Sequence, residues 1–246
     1  MQNGSLRLQK DTQVVLDEVR RRFGVLPNFF RLVSTEPEIT ANLWGFAQFA
    51  YLDNPLPSLF KERLFVYLSR FCEVRYCIAR HLGFLVGLGY PSGDSKCLPQ
   101  TVEATLPLLR RPLLNGDEML PLFKVCAALE SPLASFPMPD SQSEQALIAC
   151  ATHVFIQTPD AAGAHEALRL ILGTRNIEYL NLFLAFVRTA HYWTKLHPEL
   201  TFEEDVIRLL SSHEALAQCV LNDPSAPIEG LTKHLAADLE NLRRRV

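Results

Sequence analysis

The chain has 246 residues, 48% apolar and 21% charged, with a formal net charge of −3 at neutral pH. That composition supplies a sizeable core and argues against disorder, and the small negative charge gives no global basic field to recruit nucleic acid or an acidic membrane surface. Its six cysteines are scattered without metal-ligand spacing, so reduced thiols are expected, with no metal and no other cofactor.

The opening MQNGSLRLQKDTQ lacks a basic stretch followed by an apolar one, so no signal peptide is read there. No apolar run reaches the roughly 20 residues of a membrane span, and a cytoplasmic location is expected. Strict two-residue alternation is almost absent, whereas apolar residues recur at i, i+3 and i+4; this predicts an all-α protein. Asp11 can cap a helix to about Phe23, with Gly24 just past its end. A break at residues 25–28 precedes a short helical turn, and Pro37 opens a helix to about Leu52, stopped by Asp53-Asn54-Pro55. From Pro57 to Leu88 no proline interrupts the pattern.

Residues 91–139 hold eight of the sixteen prolines, so only short helices fit, the best over residues 113–129. Ser141-x-x-Glu144 reads as a capping box for a helix to about Gln157. A further helix is expected over residues 159–172, ended by Gly173, with Thr174 capping a long one to about Leu196. Thr201-x-x-Glu204 reads as a second capping box, for a helix to about Leu221. After a linker at residues 222–227, a last helix places Leu235, Leu239, Leu242 and Val246 at the 4-3-4 spacing of a coiled-coil seam. Packing back on its own domain and a parallel dimer helix leading to a further domain both fit it. The expected organisation is a helical domain at residues 11–222, with 91–139 as a proline-rich connection, then a linker and C-terminal helix at 223–246.

The chemistry concentrates in Glu62 to His81, ERLFVYLSRFCEVRYCIARH. Cys77 and His81, four residues apart, share a helical face. A thiol beside an imidazole is the minimal pair for a thiolate nucleophile, since the base takes the proton and its cation stabilises the sulfur anion. On one straight helix Glu62 would lie about 22 Å from Cys77. Joint action therefore requires a break near residues 71–75, with Cys77 in the first turn of a new helix, where the dipole would lower its pKa. The plainer alternative is a buried, inert Cys77, with His81 on a backbone carbonyl and Glu62 a solvated charge or a partner of Arg63 or Arg80. His191, Tyr192, Trp193 and His197 form a second cluster without metal-ligand spacing, in which Trp193 reads as a core or interface aromatic. His153 and His165 have no partner legible in the sequence.

The same stretch resembles the active-site segment of the alkyl hydroperoxidase D (AhpD)/carboxymuconolactone decarboxylase superfamily, where a Glu precedes Cys-x-x-Cys-x-x-x-His. Glu62, Cys77 and His81 match that spacing, and Val74 stands where the first cysteine would. Residues 23–30, FGVLPNFF, resemble the superfamily's opening segment, Asn54-Pro55-Leu56 its lead-in to the site, and residues 144–197 its second half. With Thr189 to Lys195, the region also resembles one found ahead of PAS and histidine-kinase modules in bacterial multidomain sensors. The resemblance implies an AhpD-like helical bundle with catalytic residues Cys77, His81 and Glu62. It also implies a homo-oligomer, dimer or higher, with PAS or kinase modules downstream. Phe183, Phe186, Trp193 and the C-terminal seam are expected to supply the apolar surface between subunits.

In AhpD-type peroxidases one thiolate attacks the peroxide and the second cysteine resolves the sulfenic acid, a role Val74 cannot fill. Three functions stand open. One is a one-cysteine signal-input and dimerisation module sensing an oxidant or small molecule for a sensor kinase. Another is a thiol-dependent hydroperoxidase or decarboxylase-type enzyme acting through Cys77, His81 and Glu62. The third is a structural dimerisation domain.

Overall fold

A computed structural model of the chain describes residues 2–32, 35–128, 133 and 135–221, with side chains from residue 12 onward. Every regular element among the described residues is a helix, as the apolar periodicity requires. α1 (Gln2–Phe23) ends on Arg20, Arg21 and Arg22, whose charges suit a helix C-terminus, and Gly24 leaves it at a φ of +76°. α2 (Asn28–Arg31) is one turn long. α3 (Pro37–Ala47) stops short of the expected Leu52 and continues as a π-helical turn, Gln48–Leu52, closed by Asp53 N–H on the Gln48 carbonyl at 2.7 Å.

α4 (Ser58–Phe71) and α5 (Arg75–Leu85) form a tight hairpin. The turn is a Schellman cap: Glu73 N–H bonds the Arg70 carbonyl at 3.1 Å and Val74 N–H the Ser69 carbonyl at 3.0 Å. Glu73 holds the left-handed position, at a φ of +55°, where glycine is the usual occupant. The break that joint action of Glu62, Cys77 and His81 required is thus present, and Cys77 is the third residue of α5.

The proline-rich connection carries α6 (Val102–Arg110), a 3-10 turn at Gly116–Met119 and α7 (Leu120–Ala128), shorter pieces than the single helix expected over residues 113–129. α8 (Gln142–Ile156) begins at Ser141, whose Oγ accepts the Glu144 N–H at 3.2 Å. The other half of that capping box is redirected, because the Glu144 carboxylate turns to Arg63 and to the Asp140 N–H instead. α9 (Ala161–Leu196) contains both helices expected on either side of Gly173; the chain bends there, at φ +71° and ψ +169°, a conformation only glycine adopts easily, and resumes.

α10 (Glu204–Ser212) and α11 (Glu214–Leu221) close the described chain. The second capping box does not form: α10 starts one residue after Glu203, and the Glu203 carboxylate serves the Asn28 N–H and the Tyr76 hydroxyl, each at 2.6 Å. The linker and the seam at Leu235, Leu239, Leu242 and Val246 lie outside the described residues.

The α4–α5 hairpin is the centre of the fold. α1 with α3, α8 with α9, α6, and α10 with α11 surround it, and every residue of α5 is buried. α9 is long and apolar enough to cross a membrane by length and composition, with a mean hydropathy of 1.2 over its best 18 residues. That apolarity serves the core, where Leu180, Phe183 and Val187 have no exposed surface. Phe183 and Phe186 are therefore enclosed within the chain and are not the subunit-facing surface the sequence reading expected, while Trp193 lies half-buried against the His197 ring.

The Glu73 turn yields a direct test. Glu73 is exposed, so Glu73→Gly removes left-handed strain and no buried contact. Urea unfolding should show a gain of roughly 0.5–1 kcal/mol; a loss would mean the side chain contributes more than its backbone conformation costs.

Candidate functional site

The hairpin brings Glu62 of α4 against His81 of α5, with Nδ1 of His81 2.6 Å from Glu62 Oε1. Glu62 has no exposed surface, so its carboxylate must find every partner inside. Three donors converge on it besides a longer hydroxyl contact. His81 Nδ1–H takes Oε1, and the Tyr51 hydroxyl donates to Oε2. The Ser92 N–H reaches Oε2 at 2.8 Å, with Ser92 Oγ at 3.2 Å. This is the coordination an acceptor-only anion takes. Burial, reinforced by the Glu62 charge, pushes the Tyr51 phenol well above its ordinary pKa of 10.0 and keeps it a donor.

Unusual backbone delivers two of those donors. Tyr51 sits in the π-helical turn, and Ser92 is left-handed at a φ of +49° in the 3-10 turn Pro91–Gly93. The π turn is held by Lys61, 1% exposed, whose Nζ donates to the carbonyls of Tyr51 at 2.5 Å, Asn54 at 2.8 Å and Leu52 at 3.3 Å. Burial pulls the Lys61 pKa down to about 8 against the opposing pull of the neighbouring Glu62 charge.

His81 stacks flat on Phe65, with ring centroids 3.6 Å apart. With Nδ1–H given to Glu62, the Nε2 atom carries a free lone pair, and among the described residues no hydrogen bond reaches it. His81 and Cys77 line one cavity of about 40 Å³, together with Tyr51, Phe65, Arg80 and Phe84. A water needs about 10–15 Å³ on this measure. The space therefore admits a molecule of only a few heavy atoms unless side chains move.

Cys77 does not meet the sequence expectation of a low pKa. It has the first-turn position, but it is 2% exposed, and burial raises its pKa from 9.0 to about 12 against the helping hydrogen bond of Thr194. Its Sγ lies 3.7 Å from Thr194 Oγ1, and among the described residues no hydrogen bond links it to His81. Burial outweighs the dipole because the dipole's field is modest and local, whereas desolvation acts on the whole thiolate charge. The site brings Glu62 and His81 into direct contact and leaves Cys77 beside them as a protonated thiol. Val74, where a resolving cysteine would stand, is buried, and the Cys72 thiol is itself raised by burial.

Tyr51, Lys61 and Ser92 carried no sequence signal, and Thr194 only its place in the Thr189 to Lys195 stretch. Tyr51, Ser92 and Thr194 reach the site through a π turn, a left-handed turn and a helix more than a hundred residues away, whereas Lys61 precedes Glu62 on α4. Glu62 is bonded to His81, Tyr51 and Ser92, and so is neither a solvated charge nor a partner of Arg63 or Arg80.

His153, His191 and His197 are structural ties. His153 bonds Thr158 Oγ1 at 2.6 Å and the Leu114 carbonyl at 2.7 Å, and His197 pairs with Glu199 at the surface. His191 Nε2 lies 2.7 Å from Ser69 Oγ. Ser69 gives its only proton to the Phe65 carbonyl, so His191 donates, and its buried Nδ1 has no partner among the described residues. Among the described residues no three His, Cys, Asp or Glu side chains group as a metal site. Comparison with known proteins adds no relative: no family model, curated protein or solved structure matches the chain.

Burial depresses the His191 pKa from 6.5 to about 3, with the Lys195 and Arg188 charges adding to it. The unfolded chain takes up a proton there between about pH 6.5 and pH 3 that the folded chain refuses. This group's stabilisation is complete above pH 6.5 and is lost as pH falls, by up to about 1.4 kcal/mol per pH unit. Denaturant unfolding of His191→Gln between pH 6 and pH 4.5 should show a flatter decline than the parent chain; parallel declines would contradict the burial argument.

Proposed function

We propose that this chain is an AhpD-like helical domain that binds a small molecule or oxidant of a few heavy atoms against His81. In this reading it serves as the input part of a homo-oligomeric signalling protein rather than as a peroxide-consuming enzyme. The observation that carries the reading is an oriented base without a nucleophile. His81, aligned by Glu62 and Tyr51, lines a cavity of about 40 Å³, while the neighbouring Cys77 has its pKa raised to about 12. At pH 7 the thiolate fraction at such a pKa is on the order of 10⁻⁵. With valine at position 74, an oxidised Cys77 would also lack the resolving thiol that turnover needs. The resemblance of the region to segments ahead of PAS and kinase modules supports the signalling role.

The enzyme reading keeps one specific support, that Cys77 and His81 line the same cavity. Ligand-induced opening that brings the thiol to His81 would lower its pKa by restoring solvent and a partner.

The two readings separate in one titration. Protein labelled with ¹⁵N in its imidazoles is titrated with hydrogen peroxide, formaldehyde and methanol as probes, and turnover of organic hydroperoxide with dithiothreitol is measured in parallel. A saturable shift of the His81 ring nitrogens with at least one probe, absent in His81→Asn and retained in Cys77→Ala, is expected, with no steady turnover. Sustained hydroperoxide consumption lost in Cys77→Ala would replace sensing with catalysis. A His81 ring indifferent to all three probes, with no turnover, would defeat both.

A further inference from the structure

α5 lines the cavity along one face. Tyr76, Cys77, Arg80, His81 and Phe84 stand at i, i+1, i+4, i+5 and i+8, one side of a helix. Aromatic rings supply most of the remaining wall, so a few polar atoms decide what the cavity can recognise. Most of those atoms are already engaged. The Tyr51 hydroxyl donates to Glu62, and the Tyr76 hydroxyl donates to Glu203 at 2.6 Å while accepting the Phe29 N–H at 3.1 Å. The Cys77 thiol meets Thr194 Oγ1 at 3.7 Å. Two atoms are left over. One is His81 Nε2, a bare acceptor once Nδ1–H is given to Glu62. The other is the Nε–H of Arg80.

Arg80 is 2% exposed, and its guanidinium carbon lies 4.6 Å from the centre of the Phe84 ring, another part of the wall. Its terminal nitrogens are taken: Nη1 by both Asp205 oxygens at 3.1 Å, Nη2 by the Leu88 carbonyl at 2.5 Å. Nε is enclosed and has no hydrogen-bond partner among the described residues. Donors enclosed in this way nearly always have an acceptor, and one left over in a cavity-lining side chain points to an acceptor supplied from outside the chain.

We propose that Arg80 Nε–H and His81 Nε2 are a two-point binding site for the hydroxyl group of a small uncharged alcohol-type molecule. This rests on the ligand reading given above and adds to it a second anchor and a ligand class. A hydroxyl carries both functions on one atom: its oxygen accepts from Arg80 and its proton goes to His81. A carbonyl or nitrile accepts but does not donate, and an ammonium donates but does not accept, so each leaves one anchor unmet. Charge also disfavours an anion, although Arg80 is a cation. Of the groups bonded or ion-paired to wall residues, the Glu62, Glu203 and Asp205 carboxylates stand against Arg80 itself and Lys61, which holds the Tyr51 carbonyl. The carbon body of the ligand rests among the rings, and the cavity volume limits it to one or two carbons.

The test reads both nitrogens in the intact chain. Protein labelled with ¹⁵N is titrated with methanol, acetonitrile and formate, each to about 0.5 M because so small a ligand binds weakly. The Arg80 Nε–H and His81 Nε2 resonances are followed, assigned by Arg80→Lys and His81→Asn. Methanol should move both along one saturable curve, with acetonitrile weaker by about tenfold or more and formate without effect. Arg80→Lys keeps a cation beside Asp205 but lacks Nε–H, and its methanol affinity read at His81 should fall about tenfold. A methanol response at His81 with Arg80 Nε–H unmoved overturns the two-point site and leaves the ligand reading standing. Acetonitrile or formate binding as tightly as methanol overturns the hydroxyl class. If neither nitrogen responds to any probe, the site and the reading it rests on both fail. The parent chain alone decides these outcomes, whether or not the variants fold.

Discussion

The α4–α5 hairpin is enclosed on every side, yet it carries Lys61, Glu62, Arg63, Ser69, Arg75, Arg80 and His81, all buried. A buried polar group without a partner costs about 1–3 kcal/mol, and a buried charge left unpaired about 3–5 kcal/mol. The surrounding elements are therefore placed where they meet most of the hairpin's buried polar groups, although Arg75 Nη1 and Arg80 Nε have no partner among the described residues. Arg63, with no exposed side chain, is gripped by Glu144 through two bonds at 2.6 and 2.9 Å and by Asp140 at 2.7 Å. Burial alone would lower its pKa, but the Glu144 and Asp140 partners more than offset that. This pairing anchors the start of α8 and the end of the proline-rich connection in one contact. Arg80 does the same on the opposite side, with both Asp205 oxygens at 3.1 Å and the Leu88 carbonyl at 2.5 Å. Gly83 makes that possible, since a Cβ there would come within 2.7 Å of the Arg80 guanidinium.

The candidate site is the same requirement met at the hairpin's centre. Glu62 faces neither arginine; it takes donors from a histidine, a phenol and a backbone amide, and two of these come from backbone in rare conformations. Strain of that kind persists where surrounding contacts over-determine it, and Lys61 holding three carbonyls of the π turn and its exit is such a contact. A carboxylate satisfied in this way orients His81, which lines the cavity, and leaves its second nitrogen without a hydrogen bond among the described residues. The same enclosure that makes the histidine a positioned base makes Cys77 a poor nucleophile. One physical cause, exclusion of water, thus acts in opposite senses on the two residues.

The helical class was legible because apolar spacing repeats along nearly the whole chain, and the ends at Gly24 and Gly173 because glycine marks left-handed backbone. The turn at Glu73 carried no such mark. It was inferred only from the distance that separates Glu62 and Cys77 on a straight helix. Glu203, which displaces the expected cap at Thr201, is chosen by the distant Asn28 and Tyr76, and no local pattern contains them. Glu62 and His81 could be paired from spacing and resemblance, whereas Tyr51 and Ser92 depend on turns whose geometry is set by tertiary contacts. The Cys77 pKa was misjudged because its position on the helix is local and its burial is not.

The central claim is that the enclosed Glu62 carboxylate fixes His81 as a base with Nδ1 protonated and Nε2 bare. Long-range ¹H–¹⁵N correlation of the imidazole nitrogens at pH 7.5, with His81 assigned by its substitution, reads that tautomer directly. The account predicts a protonated-type Nδ1 shift, an unprotonated-type Nε2 shift, and reversal or averaging of the two in Glu62→Gln. A His81 ring protonated on Nε2 alone, or one unchanged by Glu62→Gln, would contradict it.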